Sequence, residues 1–163
     1  MPSLQSSSPS PPLRKKLLYY EIHKLPVDVY APCALGNEFN GRSISQLRCK
    51  IVCGSANNQL AASLDGERLY QRGILYIPDY AANAGGLINV VSEWDPNGYN
   101  RKCVEEKIEG VRDTIKQIIT LSYDKKKPTN MVADQLAEDI FQRKEHKIAF
   151  RTARQFAIAQ KVF

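Results

Sequence analysis

Three short apolar runs mark the first half of the chain: VDVYA at 27–31, KIVCG at 50–54 and GILYI at 73–77. Their apolar residues are nearly continuous and rich in Val, Ile and Tyr, as expected of strands covered on both faces of a parallel sheet. The runs start 23 residues apart, the spacing of successive strand–helix units. Between the second and third, NNQLAASLDGERLYQRG predicts a helix carrying Leu60, Leu64 and Tyr70. Asn57 or Asn58 would stand near its N-cap and Gly73 would stop it. Between the first and second, EFNGRSISQLRC leaves room for a short helix at most.

The second half reads as helices. Leu87, Val90, Val91 and Trp94 recur at helical spacing. Val104, Ile108, Val111, Ile115, Ile118 and Ile119 form a 3.6-period stripe that predicts a helix over about 100–122. Along it Glu105 and Glu109 stand beside Arg112 or Lys116, a solvated charged face. KKKP ends this helix, because Pro128 cannot continue one. Thr129 or Asn130 is then the expected cap of a further helix over about 131–145, with Val132, Leu136 and Ile140 on one face. The pattern as a whole predicts an α/β chain: about three parallel strands followed by C-terminal helices.

Composition changes this picture little. With 43 % hydrophobic residues in 163, the chain can bury a core of one domain. The Ser/Pro-rich stretch MPSLQSSSPSPP lacks the apolar segment of a signal peptide. Residues 1–20 are therefore expected to be a disordered or divergent leader, 21–145 the folded unit and 146–163 a basic, divergent tail. The net charge of +6 is unevenly divided. Residues 1–27 carry four basic groups and one acid, giving +3, and 143–163 carry six and one, giving +5. Residues 28–142 carry thirteen basic groups and fifteen acids, giving −2. Basic ends without interleaved aromatic residues argue against a specific nucleic-acid partner, and no apolar run is long enough to span a membrane. Cys33, Cys49, Cys53 and Cys103 form no CxxC pair, and His23 and His146 are far apart. No metal site is expected. Free, buried thiols in a reducing cytoplasm are the expectation.

Chemistry is expected at the strand ends. Each run finishes in small residues: APCALG at 31–36, GSANN at 54–58, PDYAANAGG at 78–86. In an open parallel sheet, ligands bind beyond the carboxyl ends of the strands. Small side chains there let the backbone approach a flat ligand. Asn57, Asn58 and Asn83 add amides that both donate and accept. No histidine is patterned to activate a nucleophile, and Cys33 has no base placed for it.

DVYAPCALG, CKIVCGSANNQL, GILYIPDYAANAGGLINV and GYNR, in uninterrupted order over about 21–142, resemble the C-terminal half of the amino-acid dehydrogenases acting on leucine, valine and phenylalanine. The resemblance implies a partial Rossmann-like, NAD-binding fold and oxidative deamination of an apolar L-amino acid to its 2-oxo acid and ammonia. It implies that Ala31, Pro32, Cys33 and Ala34 line the nicotinamide side of the cofactor site. It places Asn57 and Asn58 at the cofactor ribose and the substrate's amino end, and Asn83 facing the nicotinamide carboxamide or the substrate. Leu87 and Val90, with Asn58, correspond to the pocket for the substrate's side chain.

Two parts of the family pattern have no counterpart here. The catalytic lysines and the aspartate of the family's substrate domain are not recognisable, so no catalytic residue is assigned. None of the nine glycines forms G-x-G-x-x-G, the turn that holds the pyrophosphate. The expectation is a chain with little or no dehydrogenase activity alone, working as a homo-oligomer or with a complementing chain that carries the missing half. The alternative expectation is a non-catalytic remnant serving as a small binding or oligomerisation module.

Overall fold

Parallel pairing of the three apolar runs builds the centre of the molecule, seen in a computed structural model that describes residues 19–143. β1 (Val29–Tyr30), β2 (Ile51–Val52) and β3 (Leu75–Tyr76) form one sheet in that order. Tyr30 lies opposite Val52, and Val52 opposite Tyr76. The regular strands are shorter than the apolar runs, but the pairing continues past them: Cys53 N–H donates to Tyr30 O and Ala56 N–H to Pro32 O, each at 3.0 Å. The expectations for residues 1–18 and for the basic tail lie outside the described residues. A 3₁₀ helix, Tyr19–Lys24, precedes β1.

The core lies where the sheet meets its first two helices. Phe39, Ile44, Leu47, Val52, Leu69 and Tyr76 are buried together, with Tyr30 and Leu60 packed against them. Phe39 stands edge-on to Tyr30 at 6.1 Å and to Tyr76 at 6.3 Å between ring centroids, so one ring bridges all three strands. Helix α1 (Gly41–Gln46) begins at a capping box in which Asn40 accepts from Arg42 N–H and Ser43 N–H, and Ser43 Oγ accepts from Asn40 N–H. Arg72 donates to Ile44 O and Leu47 O, satisfying carbonyls at the helix's other end.

Helix α2 (Leu64–Gln71) starts later than its sequence suggests, and Asn57 and Asn58 do not cap it. Residues 58–61 are instead drawn into extended pairing. Asn37 N–H donates to Asn58 O at 2.7 Å, and Phe39 and Ala61 continue the ladder around the Phe39–Leu60 bridge. Asp65 turns the helix by accepting from Ala62 N–H at 3.0 Å. The buried face of α2 carries Leu69, Asp65 and Gly66, whereas Leu64 and Tyr70 face solvent. Gly73 stops the helix as expected, with φ +68°.

Four more helices follow: α3 (Asp79–Ala82), α4 (Ala84–Ser92), α5 (Arg101–Lys125) and α6, which the described residues show over 129–143. Helix α5 packs against α3 and α4. Its stripe is buried at Val104 and Ile118, half-buried at Val111, Ile115 and Ile119, and exposed at Ile108. Asn100 caps it by accepting from Cys103 N–H, and left-handed Lys126 ends it two residues before Pro128. Glu105 pairs with Arg101 at 2.8 Å rather than with Arg112.

Thr129 and Asn130 lie within the first turn of α6 rather than ahead of it, and Val132 N–H returns to Pro128 O at 3.1 Å. Both are buried because they anchor the helix: Thr129 Oγ1 donates to Tyr76 O. The four cysteines are free, but only Cys49 is buried; Cys53 is half-buried, and Cys33 and Cys103 are exposed. Among the described residues no helix is long and apolar enough to cross a membrane. Nor does any group of three or more His, Cys, Asp and Glu there have the geometry to hold a metal ion.

Candidate functional site

The three strand tips lie side by side and are laced together. At the first seam, Pro32 O accepts from Ala56 N–H. Gly54 sits so close under Pro32 that a Cβ there would stand 2.1 Å from Pro32 O, so only glycine permits this approach. Hydrogen bonds from the Ser55 side chain and backbone lower the pKa of the exposed Cys33 thiol.

At the second seam, Asn83 Nδ2 donates to Asn57 Oδ1 at 2.6 Å and to Ser55 O at 3.4 Å. Asn58 N–H donates to Asp79 Oδ2 at 2.6 Å. Tyr76 OH donates to Asp79 Oδ1 at 3.0 Å. Burial, and then the Asp79 carboxylate, push the Tyr76 phenol well above its ordinary range, so it remains a donor.

A cleft of about 1120 Å³ opens over the second and third tips. Asn57, Asn58 and Asn83 line it, with Leu87 and Val90 of α4 forming an apolar wall and Gly85 and Gly86 leaving its floor low. Its far side is α6: Tyr80 OH donates to Asp134 Oδ1 at 2.6 Å and to Asn130 O at 3.3 Å. Burial and the Asp134 carboxylate raise the Tyr80 phenol as well.

The structure thus brings together five of the nine residues expected at the site. Ala31, Pro32, Cys33 and Ala34 do not line the cleft; they run beside it against the tip of β2. Asp79, Tyr80, Asn130 and Asp134 also line the cleft, and the sequence does not single them out as site residues. Asp79 could have been marked as an acid at the start of a helix, just beyond a strand tip. Nothing local marks Asn130 and Asp134 as cleft residues, because contacts with Ser63, Tyr76 and Tyr80, all distant in sequence, bring α6 there.

The side-chain amides suit one end of a nicotinamide dinucleotide. The Asn83–Asn57 bond consumes one donor and one acceptor. It leaves Asn57 Nδ2 and Asn83 Oδ1 without a protein partner among the described residues. One free donor beside one free acceptor complements a primary carboxamide. Nothing among the described residues corresponds to a glycine-rich turn for the pyrophosphate.

Residues 8–150 match the family described as Glutamate/Leucine/Phenylalanine/Valine dehydrogenase. Over 119 residues the chain is 44 % identical to leucine dehydrogenase of Bacillus cereus, covering 73 % of this chain and 32 % of that protein. It is 38 % identical over 130 residues to phenylalanine dehydrogenase of Caldalkalibacillus thermarum, covering 80 % and 35 %. Among solved structures, L-tryptophan dehydrogenase from Nostoc punctiforme superposes with a TM-score of 0.69 at 42 % identity, over 73 % of this chain and 36 % of that one. A hetero-hexameric glutamate dehydrogenase from Thermus thermophilus in a leucine-bound form gives a TM-score of 0.57 at 25 % identity, over 74 % and 30 %. The chain spans about a third of the length of the curated relatives it matches. With its parallel strand tips, its paired asparagines and this continuous match, the chain belongs to the glutamate/leucine/phenylalanine/valine dehydrogenase family.

Proposed function

We propose that this chain supplies the nicotinamide-side floor and the side-chain pocket of an NAD-dependent dehydrogenase that deaminates an apolar L-amino acid to its 2-oxo acid and ammonia. The observation that carries this reading is the meeting of Asn57, Asn58 and Asn83 in one cleft walled by Leu87 and Val90. When bound, NAD⁺ supplies the acceptor for the two electrons and proton removed from the substrate's α-carbon. Asn57 and Asn83 would hold the carboxamide, and Asn58 the ribose or the substrate's amino group. Leu87 and Val90 would take an aliphatic or aromatic side chain, because no cation stands in that wall to pair with a second carboxylate.

General acid–base work needs a positioned proton carrier near pH 7. Tyr76 and Tyr80, held protonated, do not provide one. On this reading the family's catalytic lysines lie outside the described residues, and the chain alone should form no NADH. A second reading, a binding or oligomerisation module, draws on the outward face of α4 and the turn after it, where Val91 is 52 % and Trp94 80 % exposed.

A chimera tests the functional reading. Residues 21–142 replace the matching segment of Bacillus cereus leucine dehydrogenase. The expected result is NAD⁺-dependent oxidation of leucine or another apolar amino acid, lost on Asn83→Ala. A folded chimera that binds NAD⁺ nowhere and oxidises none of these substrates would overturn it.

A further inference from the structure

We propose that Asp79 is a positioning residue whose carboxylate fixes the cofactor-facing Asn58 at the mouth of the cleft. Its carboxylate Oδ2 accepts the Asn58 N–H at 2.6 Å, while its carbonyl accepts the Asn83 N–H at 2.8 Å. The first bond depends on the Asp79 side chain and reaches a residue 21 positions away on another strand tip; the second is the main-chain bond that ends α3 and would form with any residue at 79. The need is local. Asn58 sits at φ +52°, in the left-handed region that side chains rarely adopt. Its carbonyl is already taken by Asn37 N–H, so its N–H is the group left to set its orientation. A bond of 2.6 Å to a carboxylate is shorter than the usual N–H···O bond and stronger than a neutral one. Tyr76 OH donates to the other oxygen and locks the carboxylate's rotation. Asp79 is half-buried, and Tyr76 beneath it is buried. The tie runs from the core residue Tyr76, through Asp79, to Asn58 at the mouth of the cleft.

This role rests on Asn58 being ligand-facing, as proposed above, and its test separates the two claims. In the ¹⁵N,¹³C-labelled full chain, a through-hydrogen-bond coupling is expected between the Asn58 amide nitrogen and the Asp79 carboxyl carbon. Asp79→Asn keeps an acceptor for Asn58 N–H and a partner for Tyr76 OH. It should retain the coupling and keep NADH affinity within about threefold of wild type. Asp79→Ala should lose the coupling, move the Asn58 amide signals more than those of Asn83, whose main-chain bond to residue 79 is kept, and weaken NADH binding about tenfold or more. A merely structural role would lower the melting temperature of both variants without rescue of affinity by asparagine. Absence of the coupling in wild type would overturn the proposal, and that measurement needs no variant to fold. So would an Asp79→Ala chain whose Asn58 signals and NADH affinity are unchanged. Failure of the wild-type chain to bind NADH would count against the functional reading, while the coupling would still decide the role of Asp79.

Discussion

At the scale of the residue, glycine and asparagine do most of the positioning. Gly54 lets two strand tips approach within backbone contact, and its missing Cβ cannot be restored without moving Pro32. Gly54→Ala should therefore cost about 3 kcal/mol or more of stability, read as a drop in the urea midpoint. Gly86 is the control. It lies in α4 with no atom within 4 Å of a built Cβ, so Gly86→Ala should raise stability by up to about 1 kcal/mol through helix propensity. The asparagines at the tips were legible in the sequence because the loops after successive parallel strands come together at one sheet edge, whatever turn or cap each also makes. Asp79 and Tyr80 were not legible, because their partners lie 21 and 54 positions away. No local pattern encodes a bond of that span.

At the scale of the element, the strands and the long helix followed from periodicity, whereas helix starts did not. The Phe39–Leu60 bridge draws 58–61 into extended pairing, so tertiary contact overrides the capping preference of Asn57 and Asn58. Thr129 and Asn130 were legible as residues near a helix start. Their burial was not, since it comes from docking on β3 and on α2, where Asn130 packs flat against Gly66. Among the described residues, the Thr129 hydroxyl is the one bond that joins α6 to the sheet backbone. Thr129→Val keeps the shape and removes the donor, leaving Tyr76 O to lose a buried bond. The expected cost is about 1–2 kcal/mol, seen by denaturation. Faster amide exchange should be confined to α6, which walls the cleft. Uniform exchange across the sheet would show that α6 and the sheet open together and that the hydroxyl is no separate anchor.

At the scale of the whole molecule, the described fold is a three-stranded sheet with helices on it and one broad cleft at its carboxyl edge. Among the described residues no strand pairs with the outer edge of β1, where Val29 is exposed. Such an edge invites association. Stability should also carry a mark of the protonated phenols. Tyr30, Tyr76 and Tyr80 are all raised, first by burial and then by Glu38, Asp79 and Asp134 respectively. A phenol raised in the fold favours the fold while it stays protonated. Its contribution is complete below the ordinary value of about 10 and is lost as pH climbs beyond it. Tyr80 is half exposed, so solvent screens its contribution. Urea midpoints should change little between about pH 8 and 9.5 and fall by about pH 11. In Tyr76→Phe the fall should be shallower; an equal fall in that variant would assign it to other groups.

The account turns on the second and third strand tips forming one floor for a nicotinamide ring, with the first tip packed beside them. The most direct measurement is a titration of the ¹⁵N-labelled full chain with NADH, following backbone and side-chain amide signals. The account predicts that the side-chain amides of Asn57, Asn58 and Asn83 shift together, with backbone signals from 31–34 and 54–56 moving alongside. Shifts confined to other surfaces, or saturation with those three side chains unmoved, would contradict it.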